Sequence, residues 1–455
     1  MSNDWSNNQM LKKVVIVGAG PCGLLLADYL LSRDRQYHVE IYERRADPRI
    51  VSYANSRTFP IALNERGYNA LRQIPRLDEA VKEASTTVTN MVSHQKNGKT
   101  KVIPRSKPLF CIDRTDLVKV LLEQLTSKYH SPELKINFNC KCDGVVEPSN
   151  VDNGDFAIKS IKFRNLETET DFNIDCDLLI GADGASSVVR GIFAGLSDSF
   201  ECSQEYVPTA YKTIFISASD NKNHWDGVGG KFHFWNKIDD YTRIMLIEGT
   251  DGSLNGVIRF IYKKNSIANI SSVEEALNYF QQNCPQLKEF MSTEATEAFV
   301  NNPVSRVTTV RCSSYHLGEN ALLIGDAAHA VSPALGQGCN SALEDVWILN
   351  NLLDEYSDNW AEAIEQFTIR RKADADAVVE LSSYVPPLSP KLFIEFGIRQ
   401  GVNKVLHKLF PQYFLPPIFE CLSQPTVRYS EIFRSYKSWI SKVKKSNENL
   451  LAKLS

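Results

Sequence analysis

Three glycines at a fixed spacing are the first residues of this sequence whose pattern points to chemistry. Gly18, Gly20 and Gly23 follow four apolar residues, 14–17, that predict a strand buried on both faces, and an apolar run of helical length comes after them. In this pattern the first glycine permits a tight turn, the second lets the backbone approach a pyrophosphate, and the third lets the helix pack closely on the strand. The unpaired N–H groups at the start of the helix can then bind phosphate. Glu43 ends the next predicted strand and could accept a hydrogen bond from a ribose hydroxyl, so the segment predicts a dinucleotide-binding βαβ unit.

The alternative to dinucleotide binding is a βαβ unit whose glycines serve only close packing. The arginines after Glu43 bear on which dinucleotide would bind. Arg44 and Arg45 could contact a 2′-phosphate, as in NADP, but an acid at the end of the second strand favours an unphosphorylated ribose. We therefore expect Glu43 to accept the ribose hydroxyl, with Arg44 as a neighbouring candidate contact.

A second glycine–acid segment is centred on Asp183 and Gly184. It follows an apolar run that predicts a buried strand, and Arg190 comes one or two helical turns later. Asp183 would lie at the carboxyl end of that strand, where open α/β sheets bind ligands. A simple strand–turn–helix capped by Asp183 is equally consistent with the sequence.

A third segment combines an aspartate at a strand end with a glycine-rich loop before a helix. Asp326 ends a predicted strand, and Pro333 and Gly336-Gln337-Gly338 precede a long predicted helix. The aspartate could bind a ribityl hydroxyl, and the loop N–H groups could stabilise an anionic oxygen such as that of a reduced isoalloxazine. His329 invites a catalytic interpretation, but two alanines flank it, so we expect a packed, hydrogen-bonded histidine.

The composition limits the class of protein. The chain has 455 residues, 43% hydrophobic and 23% charged, which is ordinary for a globular protein of two or three domains or lobes. A net charge of −3 gives no electrostatic argument for nucleic-acid binding. Ten cysteines are scattered without zinc-site spacing, so we expect reduced thiols in a cytoplasmic protein and no metal. Residues 1–9 are polar and predict no signal peptide, and no apolar window predicts a membrane span.

The order of predicted elements favours an α/β protein with an inserted second sheet. Residues 86–104 alternate apolar and polar side chains around Asn97-Gly98, which predicts a hairpin. Residues 205–262 are rich in strand formers and predict a mostly antiparallel sheet, and residues 271–300 predict helices. The chain then returns to an α/β pattern, and residues 360–455 predict helices broken by prolines.

The three glycine and acid segments occur in the order and spacing of one family. Taken together they resemble the class A FAD-dependent aromatic monooxygenases, and within that family the chain is similar to the kynurenine 3-monooxygenases from end to end. The segments that carry the narrower resemblance are spread over the whole sequence. They are Ala62-Leu63-x-x-Arg66-Gly67, Tyr206-Val207-Pro208 with Tyr211, Arg311-Cys312-Ser313-Ser314-Tyr315-His316, Leu323 to Ala330, Gly336-Gln337-Gly338-Cys339-Asn340 and Val427-Arg428-Tyr429.

The resemblance implies a Rossmann-like FAD-binding domain with an inserted, mostly antiparallel substrate-side sheet and a C-terminal helical region. Because the family has no separate NAD(P)H domain, the nicotinamide cofactor would bind only transiently, and a flavin that swings toward the surface would meet it. We expect the FAD-binding domain to comprise residues 1–85, 105–200 and 301–375, the sheet domain residues 86–104 and 201–300, and the helical region residues 376–455.

The resemblance also implies the chemistry. NAD(P)H would reduce FAD, O₂ would add to the reduced flavin to give a 4a-hydroperoxide, and its distal oxygen would pass to an electron-rich aromatic ring. Because the cofactor supplies the reactive group, no Ser-His-Asp, Cys-His or paired-carboxylate set is needed. Pro333, Gly336 and Gly338 would lie near the reacting carbon. The residues that would hold FAD are Gly18, Gly20, Gly23, Glu43, Arg44, Ala62, Arg114, Asp183, Asp326, Gly338, Cys339 and Asn340.

The departures from the kynurenine 3-monooxygenases concern the substrate. In those enzymes an arginine and a tyrosine on the inserted hairpin, with an asparagine from the C-terminal part, hold the substrate carboxylate; the corresponding positions here carry Asn90, Arg105 and Val385. Losing the arginine removes a bidentate, charge-assisted contact, so we expect a different substrate. Ala334-Leu335 replaces an aromatic pair before the Gly-Gln-Gly loop and predicts room for a bulkier or differently shaped aromatic.

Three alternatives for the activity stay open beside this main interpretation. One is kynurenine 3-monooxygenase itself, with Arg105 binding the carboxylate. A flavin halogenase is disfavoured because the W-x-W-x-I-P pattern of that group is absent, and the third is a flavin-binding or electron-transfer protein without hydroxylation. The sequence leaves open the substrate, the choice between NADH and NADPH, and the oligomeric state. The candidates for substrate contacts are Asn90, Arg105, Tyr211, His233, Tyr384 and Tyr429.

Overall fold

The strands of the protein fall in two main sheets and two small ones. The computed structural model describes residues 11–33, 37–50, 60–95, 99–146, 149–150, 156–218, 232–235, 241–249, 251–262 and 266–453. The predicted Asn97-Gly98 turn lies outside these residues. The strands are β1 (Lys12–Val17), β2 (Tyr37–Tyr42), β3 (Pro60–Leu63), β4 (Thr86–His94), β5 (Thr100–Asp113), β6 (Leu134–Asn137), β7 (Cys140–Val145), β8 (Ser149–Asn150), β9 (Phe156–Ala157), β10 (Ser160–Asn165), β11 (Asp171–Asp175), β12 (Leu178–Gly181), β13 (Cys202–Ile216), β14 (Phe232–Trp235), β15 (Arg243–Glu248), β16 (Leu254–Ile261), β17 (Ser305–Cys312), β18 (His316–Leu317) and β19 (Ala321–Leu323).

Helices pack against the first sheet and against one face of the second, and they form the C-terminal part of the chain. Two short 3₁₀ helices, Ser266–Asn269 and Pro333–Leu335, are separate from them. The helices are α1 (Pro21–Leu31), α2 (Glu65–Leu71), α3 (Leu77–Glu83), α4 (Arg114–Lys128), α5 (Val188–Leu196), α6 (Val273–Asn283), α7 (Pro285–Lys288), α8 (Thr293–Asn301), α9 (Asp326–His329), α10 (Gly338–Glu355), α11 (Trp360–Tyr384), α12 (Pro390–Leu409), α13 (Ile418–Ser423) and α14 (Tyr429–Ala452).

A six-stranded sheet with the order β18-β19-β12-β1-β2-β6 brings the three glycine–acid segments together. Strand β1 is central and pairs in parallel with β12 and β2, so that Val15 lies between Leu179 and Glu40. Val14, Val15 and Ile16 are fully buried, as expected for a strand covered on both faces. The carboxyl ends of β1, β12 and β19 lead into the three segments at one edge of the sheet. The predicted Rossmann-like arrangement is confirmed.

The second sheet has eight strands in the order β17-β13-β16-β15-β14-β4-β5-β3, and its two faces have different neighbours. All its pairs are antiparallel except β14 with β4. The outer face carries Ile214, Leu246 and Phe260, which pack with the residues of α6 to α8. The inner face carries Phe232 and Ile247, which cluster with Ala62 on β3. Because directly paired residues share a face, register assigns Tyr211, Met245, Val257 and Arg259 to the inner face as well.

The large sheet contains strands that the sequence-based division assigns to the FAD-binding domain. Strands β3 and β17 lie at its two edges, and β5 continues to Asp113. The large sheet is joined to the segment at the carboxyl edge of the parallel sheet, since Val310 on β17 donates a backbone hydrogen bond to Ala330, which directly follows α9. The division into domains remains our proposal, with these strands as the connections between them.

The C-terminal helices form their own apolar cluster beside the glycine-rich loop. Val378, Phe396, Tyr429 and Trp439 belong to it, and so does Leu335 next to the Gly336 turn. Helix α14 runs along α11, and the predicted helical C-terminal region is therefore confirmed. Within the described ranges, none of the helices is both long and apolar enough to cross a membrane.

Candidate active site

The loop between β1 and α1 shows why each glycine is needed. Gly18 has φ of 108°, and a Cβ there would lie 2.5 Å from the carbonyl oxygen of Ala182. A Cβ on Gly23 would lie 2.2 Å from the carbonyl oxygen of Gly18. Gly20 differs, because nothing lies within 4 Å of the place its Cβ would occupy. Gly18 and Gly23 are therefore required by the fold itself, and Gly20 borders open space at the start of α1, where a pyrophosphate would fit.

Glu43 fixes this loop and keeps capacity for a ligand. Its Oε2 accepts a hydrogen bond from the backbone N–H of Ala19 at 2.9 Å, and its Oε1 accepts one from Arg45 at 2.9 Å. Each carboxylate oxygen has a second lone pair that a ribose hydroxyl could use. Arg44 is exposed at the same strand end.

The surroundings of Asp183 are compatible with both roles that its sequence context allowed, a cap of the following helix and a ligand contact. Its Oδ2 accepts hydrogen bonds from the backbone N–H groups of Val188 at 2.6 Å and Val189 at 3.3 Å, so it caps the turn into α5. Its Oδ1 is buried and has no hydrogen-bond partner in the described part of the chain, and burial raises the pKa of the carboxyl. A buried oxygen without a partner costs about 1–3 kcal/mol, which a hydroxyl-rich ligand such as FAD would relieve.

Arg114, Asp326 and Cys339 meet at one cleft on the carboxyl edge of the parallel sheet. Burial raises the pKa of Asp326, and the guanidinium of Arg114 opposes that shift. Burial also raises the pKa of Cys339 to about 12, with Arg114 again opposing it. Protein groups surround the Asp326 side chain, which raises this pKa, but the residue is exposed to solvent, so its carboxylate faces an open cleft. A Cβ on Gly338 would lie 4.0 Å from Asp326 Oδ1, so the glycine loop borders the same cleft.

Asn340 connects this cleft to the large sheet through its side chain. Its Nδ2 donates to the carbonyl oxygens of Ala62 and Gly336, both at 2.9 Å, and its Oδ1 accepts from the backbone N–H of Asn64 at 2.9 Å. Through these hydrogen bonds, Asn340 positions β3 against the glycine loop. Because its side chain is used in this way, Asn340 would bind a cofactor through its backbone N–H at the start of α10. The hydrogen bond from Asn340 to its carbonyl oxygen holds Ala62 beside the cleft.

The loop at Pro333–Gly338 is fixed on one side and open on the other. Gly336 has φ of 64°, is exposed, and has nothing within 4 Å of the place its Cβ would occupy. Gln337 is buried; its Nε2 donates to the carbonyl oxygen of Leu335 at 3.0 Å, and its Oε1 accepts from the hydroxyl of Tyr429 at 3.0 Å. Tyr429 is fully buried and thus positions the loop through Gln337.

Five titratable side chains behind the loop form one buried group, which we call the charge cluster: Arg66, His329, Glu344, Asp345 and Arg371. Glu344 forms ion pairs with Arg66 at 2.5 Å and with Arg371 at 2.9 Å. Asp345 pairs with Arg371 at 2.6 Å and with His329 at 2.7 Å. The prediction of a packed, hydrogen-bonded His329 is confirmed, and histidine and arginine together hold Asp345 in the charged state.

The charge cluster reaches both cofactor loops and the C-terminal region. Asp345 Oδ2 accepts the backbone N–H of Gly325 at 3.0 Å, next to Asp326. Arg66 donates to the carbonyl oxygens of Leu422 and Val427, and its guanidinium lies 4.1 Å from the centre of the Tyr429 ring. The sequence motifs give no role to the acids of this cluster. Their signal is two adjacent acids, Glu344 and Asp345, within the otherwise apolar stretch 342–349 of α10.

Two of the substrate candidates, Tyr211 and His233, lie on opposite faces of the large sheet. Tyr211 is on the inner face, and its hydroxyl is buried without a partner in the described residues. His233 pairs in register with Leu246 on the outer face and lies 3.2 Å from a ring nitrogen of His94, so it points away from Tyr211. The structure therefore does not bring these two candidates together.

The remaining candidates lie on the hairpin and at the end of α11. Asn90 adjoins a register shift in the hairpin. Arg105 is exposed, and its guanidinium lies 3.7 Å from the sulfur of Met91 on the neighbouring strand. Tyr384 packs under the ammonium group of Lys444 at 4.7 Å, against α14. Of these three, Arg105 is the one that reaches toward an inner-face side chain.

Substituting the two glycines of the first loop separates fold from cofactor. We expect Gly23→Ala to lower the free energy of unfolding of the FAD-free protein by about 1–3 kcal/mol or more, because its methyl group would collide with the Gly18 carbonyl. Gly20→Ala should change that free energy by less than about 0.5 kcal/mol and yet raise the Kd for FAD about tenfold or more. Denaturant unfolding of the apoprotein and titration with FAD measure the two effects. Equal stability losses in both variants would contradict this assignment.

Neutralising the buried acid of the charge cluster tests its contribution to stability. Burial alone would raise the pKa of Asp345, but His329 and Arg371 outweigh it and hold the pKa below its ordinary value of 3.8. We expect Asp345→Asn to lower the free energy of unfolding by about 3–5 kcal/mol at neutral pH.

Because the folded-state pKa of Asp345 is lowered, its stabilisation is present above pH 3.8 and is lost as the pH falls below that value. The variant should therefore lose less stability on acidification than the parent protein does. The control is Asp354→Asn on the same helix, which removes a surface ion pair with Arg33 and should cost less than about 1 kcal/mol. Urea denaturation at several pH values compares the three proteins, and similar losses in both variants would count against the charge cluster.

Comparison with known proteins identifies the family. The model of the FAD binding domain family matches residues 12–382. The kynurenine 3-monooxygenase of Legionella pneumophila (strain Corby) is 30% identical over 413 residues, 89% of this chain and 87% of that protein. The kynurenine 3-monooxygenase of Sus scrofa is 27% identical over 442 residues, 94% of this chain and 87% of that protein.

A solved structure shares the fold at low sequence identity. The tetrameric form of 2-methyl-3-hydroxypyridine-5-carboxylic acid oxygenase has a TM-score of 0.63 with 18% identity, and the match covers 91% of this chain and 96% of that one. The glycine loop, the unpartnered oxygen of Asp183 and the cleft at Asp326 fit the same cofactor. The chain belongs to the FAD-binding family of class A aromatic monooxygenases and is an FAD-dependent monooxygenase.

Proposed function

We propose that this monooxygenase uses NAD(P)H and O₂ to hydroxylate an aromatic small molecule in a pocket between the Pro333–Gly338 loop and the inner face of the large sheet. The observation that carries the proposal is that Arg114, Asp326 and Gly338 border one cleft, to which the inner face is joined. Asn255 on β16 donates to Asp113 Oδ2 at 2.9 Å, and Asp113 directly precedes Arg114.

The residues of the chain have binding and positioning roles in this proposal. FAD, when bound, supplies the activation of O₂ and the transfer of oxygen. Gly20 and Glu43 would contact its pyrophosphate and adenosine ribose, Asp326 would accept a ribityl hydroxyl, and the N–H groups of Gly336 and Gly338 would face the isoalloxazine. Apolar side chains of the inner face would keep water from the reacting ring.

The substrate contacts that we retain are those that approach the inner face. Tyr211 on β13 and Arg105 on the hairpin meet this criterion, and Asn90 lies beside Arg105, opposite Pro104. Tyr429 acts indirectly, through Gln337. His233 lies on the outer face, and we do not propose it as a contact. The relatives are named kynurenine 3-monooxygenases, but the changes at Asn90, Arg105 and Val385 support a different aromatic substrate.

The pyridine nucleotide is proposed as a transient co-substrate that meets the flavin near the surface. All ten cysteines are free thiols, nine of them at least partly buried. Reduced thiols and a pyridine nucleotide both support a cytoplasmic location, which we include in the proposal.

The function is tested by substrate-stimulated reduction of the flavin. We expect at least one member of a panel of aromatic acids, indoles and phenols to accelerate NAD(P)H-dependent flavin reduction about tenfold or more, equivalent to roughly 1.4 kcal/mol of barrier. The same compound should gain one oxygen atom, measured by mass spectrometry with ¹⁸O₂. Kynurenine belongs in the panel, since its hydroxylation at the parent rate would favour kynurenine 3-monooxygenase itself. A flavin whose reduction no compound accelerates, and no oxygenated product, would indicate a flavoprotein without hydroxylation.

The room beside the glycine loop is tested at Ala334. Leu335 is buried in the C-terminal apolar cluster, so Ala334, which is half-buried, is the member of the pair that can border the pocket. We expect Ala334→Phe to raise KM for the bulkiest accepted aromatic about tenfold or more and to leave the smallest nearly unchanged. Ala334→Ser is the size-matched control. An equal effect of Ala334→Phe on large and small substrates would show that this position does not limit the pocket.

A further inference from the structure

Two residues on the inner face of the large sheet each have a buried polar atom without a hydrogen-bond partner in the described part of the chain. One is the hydroxyl of Tyr211, a residue that is 7% exposed. The Nε of Arg259 is likewise buried and has no partner in the described residues. Arg259 is half-buried, and leaving its Nε–H donor unpaired away from water is costly.

These two side chains are direct neighbours. Tyr211 on β13 and Arg259 on β16 are opposite each other in the antiparallel register, so they share a face and lie within reach of one small group. Arg243 on β15 is opposite Arg259 on its other side.

The position of the pair relative to the cofactor cleft suits the far end of an aromatic substrate. Asn255 on the same face of β16 is hydrogen-bonded to Asp113, beside Arg114. Arg259 is four residues further along that strand, roughly 13 Å away at the rise of an antiparallel strand. Val257 and Met245 are paired in register between them and give this stretch an apolar surface. An aromatic ring could pack on that surface, with a short side chain reaching Arg259.

We propose that Arg259 and Tyr211 form a subsite that binds a carboxylate of the aromatic substrate. A guanidinium offers a carboxylate two parallel N–H donors, and the tyrosine hydroxyl supplies a third donor. The subsite rests on the proposed function, and it names the substrate class as aromatic acids. Arg259 would also supply a cation for the substrate carboxylate in a chain whose hairpin lacks the family's arginine.

Arg105 is the rival anchor, and its surroundings differ from those of Arg259. Arg105 is exposed on the hairpin, and its Nε donates to the carbonyl oxygen of Lys107 at 3.3 Å. An exposed guanidinium is screened by water, whereas a half-buried one with a buried, unpaired Nε–H binds an anion more strongly. The geometry therefore favours Arg259 as the group that orients the substrate.

Ligand binding to the FAD-loaded enzyme tests the subsite without requiring turnover. The probes are benzoate, 4-hydroxybenzoate, anthranilate and kynurenine, each of the first three compared with its neutral amide. Binding is measured from the change in the flavin absorbance spectrum. The variants are Arg259→Gln, Tyr211→Phe and Arg105→Gln. The control is Arg306→Gln, which removes an arginine from the outer face of the same sheet, where it stacks on Tyr206 and Tyr262.

We expect the parent enzyme to prefer at least one acid over its amide, and Arg259→Gln to weaken binding of that acid about 10- to 100-fold. Tyr211→Phe should weaken it less, and Arg306→Gln should not change it. Binding of the amide should change little in any variant. If Arg105→Gln removes the preference for acids and Arg259→Gln does not, or if acids and amides bind alike to the parent enzyme, the subsite is wrong. Acid-selective binding through Arg259 without any oxygenated product would uphold the subsite and overturn the proposed function.

Discussion

The charge cluster is the interaction on which the rest of the site depends. Its two acids, Glu344 and Asp345, are adjacent on α10 and pair with cations from three other segments. A buried ion pair contributes little more to the free energy of unfolding than apolar packing would, but removing one partner leaves the other as an uncompensated buried charge. The cluster therefore specifies one arrangement of these segments. Asp345 holds the turn before Asp326 from behind, and Tyr429, on whose ring the Arg66 guanidinium packs, holds the loop at Gln337.

The two sheets meet at this fixed centre, and each supplies a different part of the function. The parallel sheet provides the glycine turn and the acids at its carboxyl edge, which are general requirements for binding a dinucleotide. The inner face of the large sheet supplies the side chains that would touch the substrate. Because the first set is constrained by backbone geometry and the second only by side-chain choice, cofactor binding can persist while the substrate changes.

The sequence shows the backbone loops of the proposed cofactor site more clearly than the side chains of the proposed substrate site, for a physical reason. Gly18, Gly23 and Asp326 owe their roles to local backbone geometry, which spacing along the chain reveals. His233 illustrates the opposite case, since an alternating strand does not show which of its faces meets the cofactor, and register places His233 outside. Arg259 stands in an apolar strand and becomes conspicuous only when Tyr211 is found opposite it without a partner in the described residues. The role of the acids of the charge cluster cannot be read from the sequence, because spacing does not show that Arg66, 278 residues before Glu344, and Arg371, on the next helix, converge on them.

The long separation of the cluster's members has a consequence for the time course of synthesis. Arg66 and the carbonyl group of Val427 that it contacts are 361 residues apart. At about 5–20 residues per second, the ribosome adds that length in roughly 20–70 s. During that interval the first strands can pair, but the Arg66 guanidinium lacks some or all of its partners, which are Glu344 and the carbonyl oxygens of Leu422 and Val427. The cofactor cradle is thus completed only after residue 427 has been added, and the nascent chain must be kept from aggregating until then.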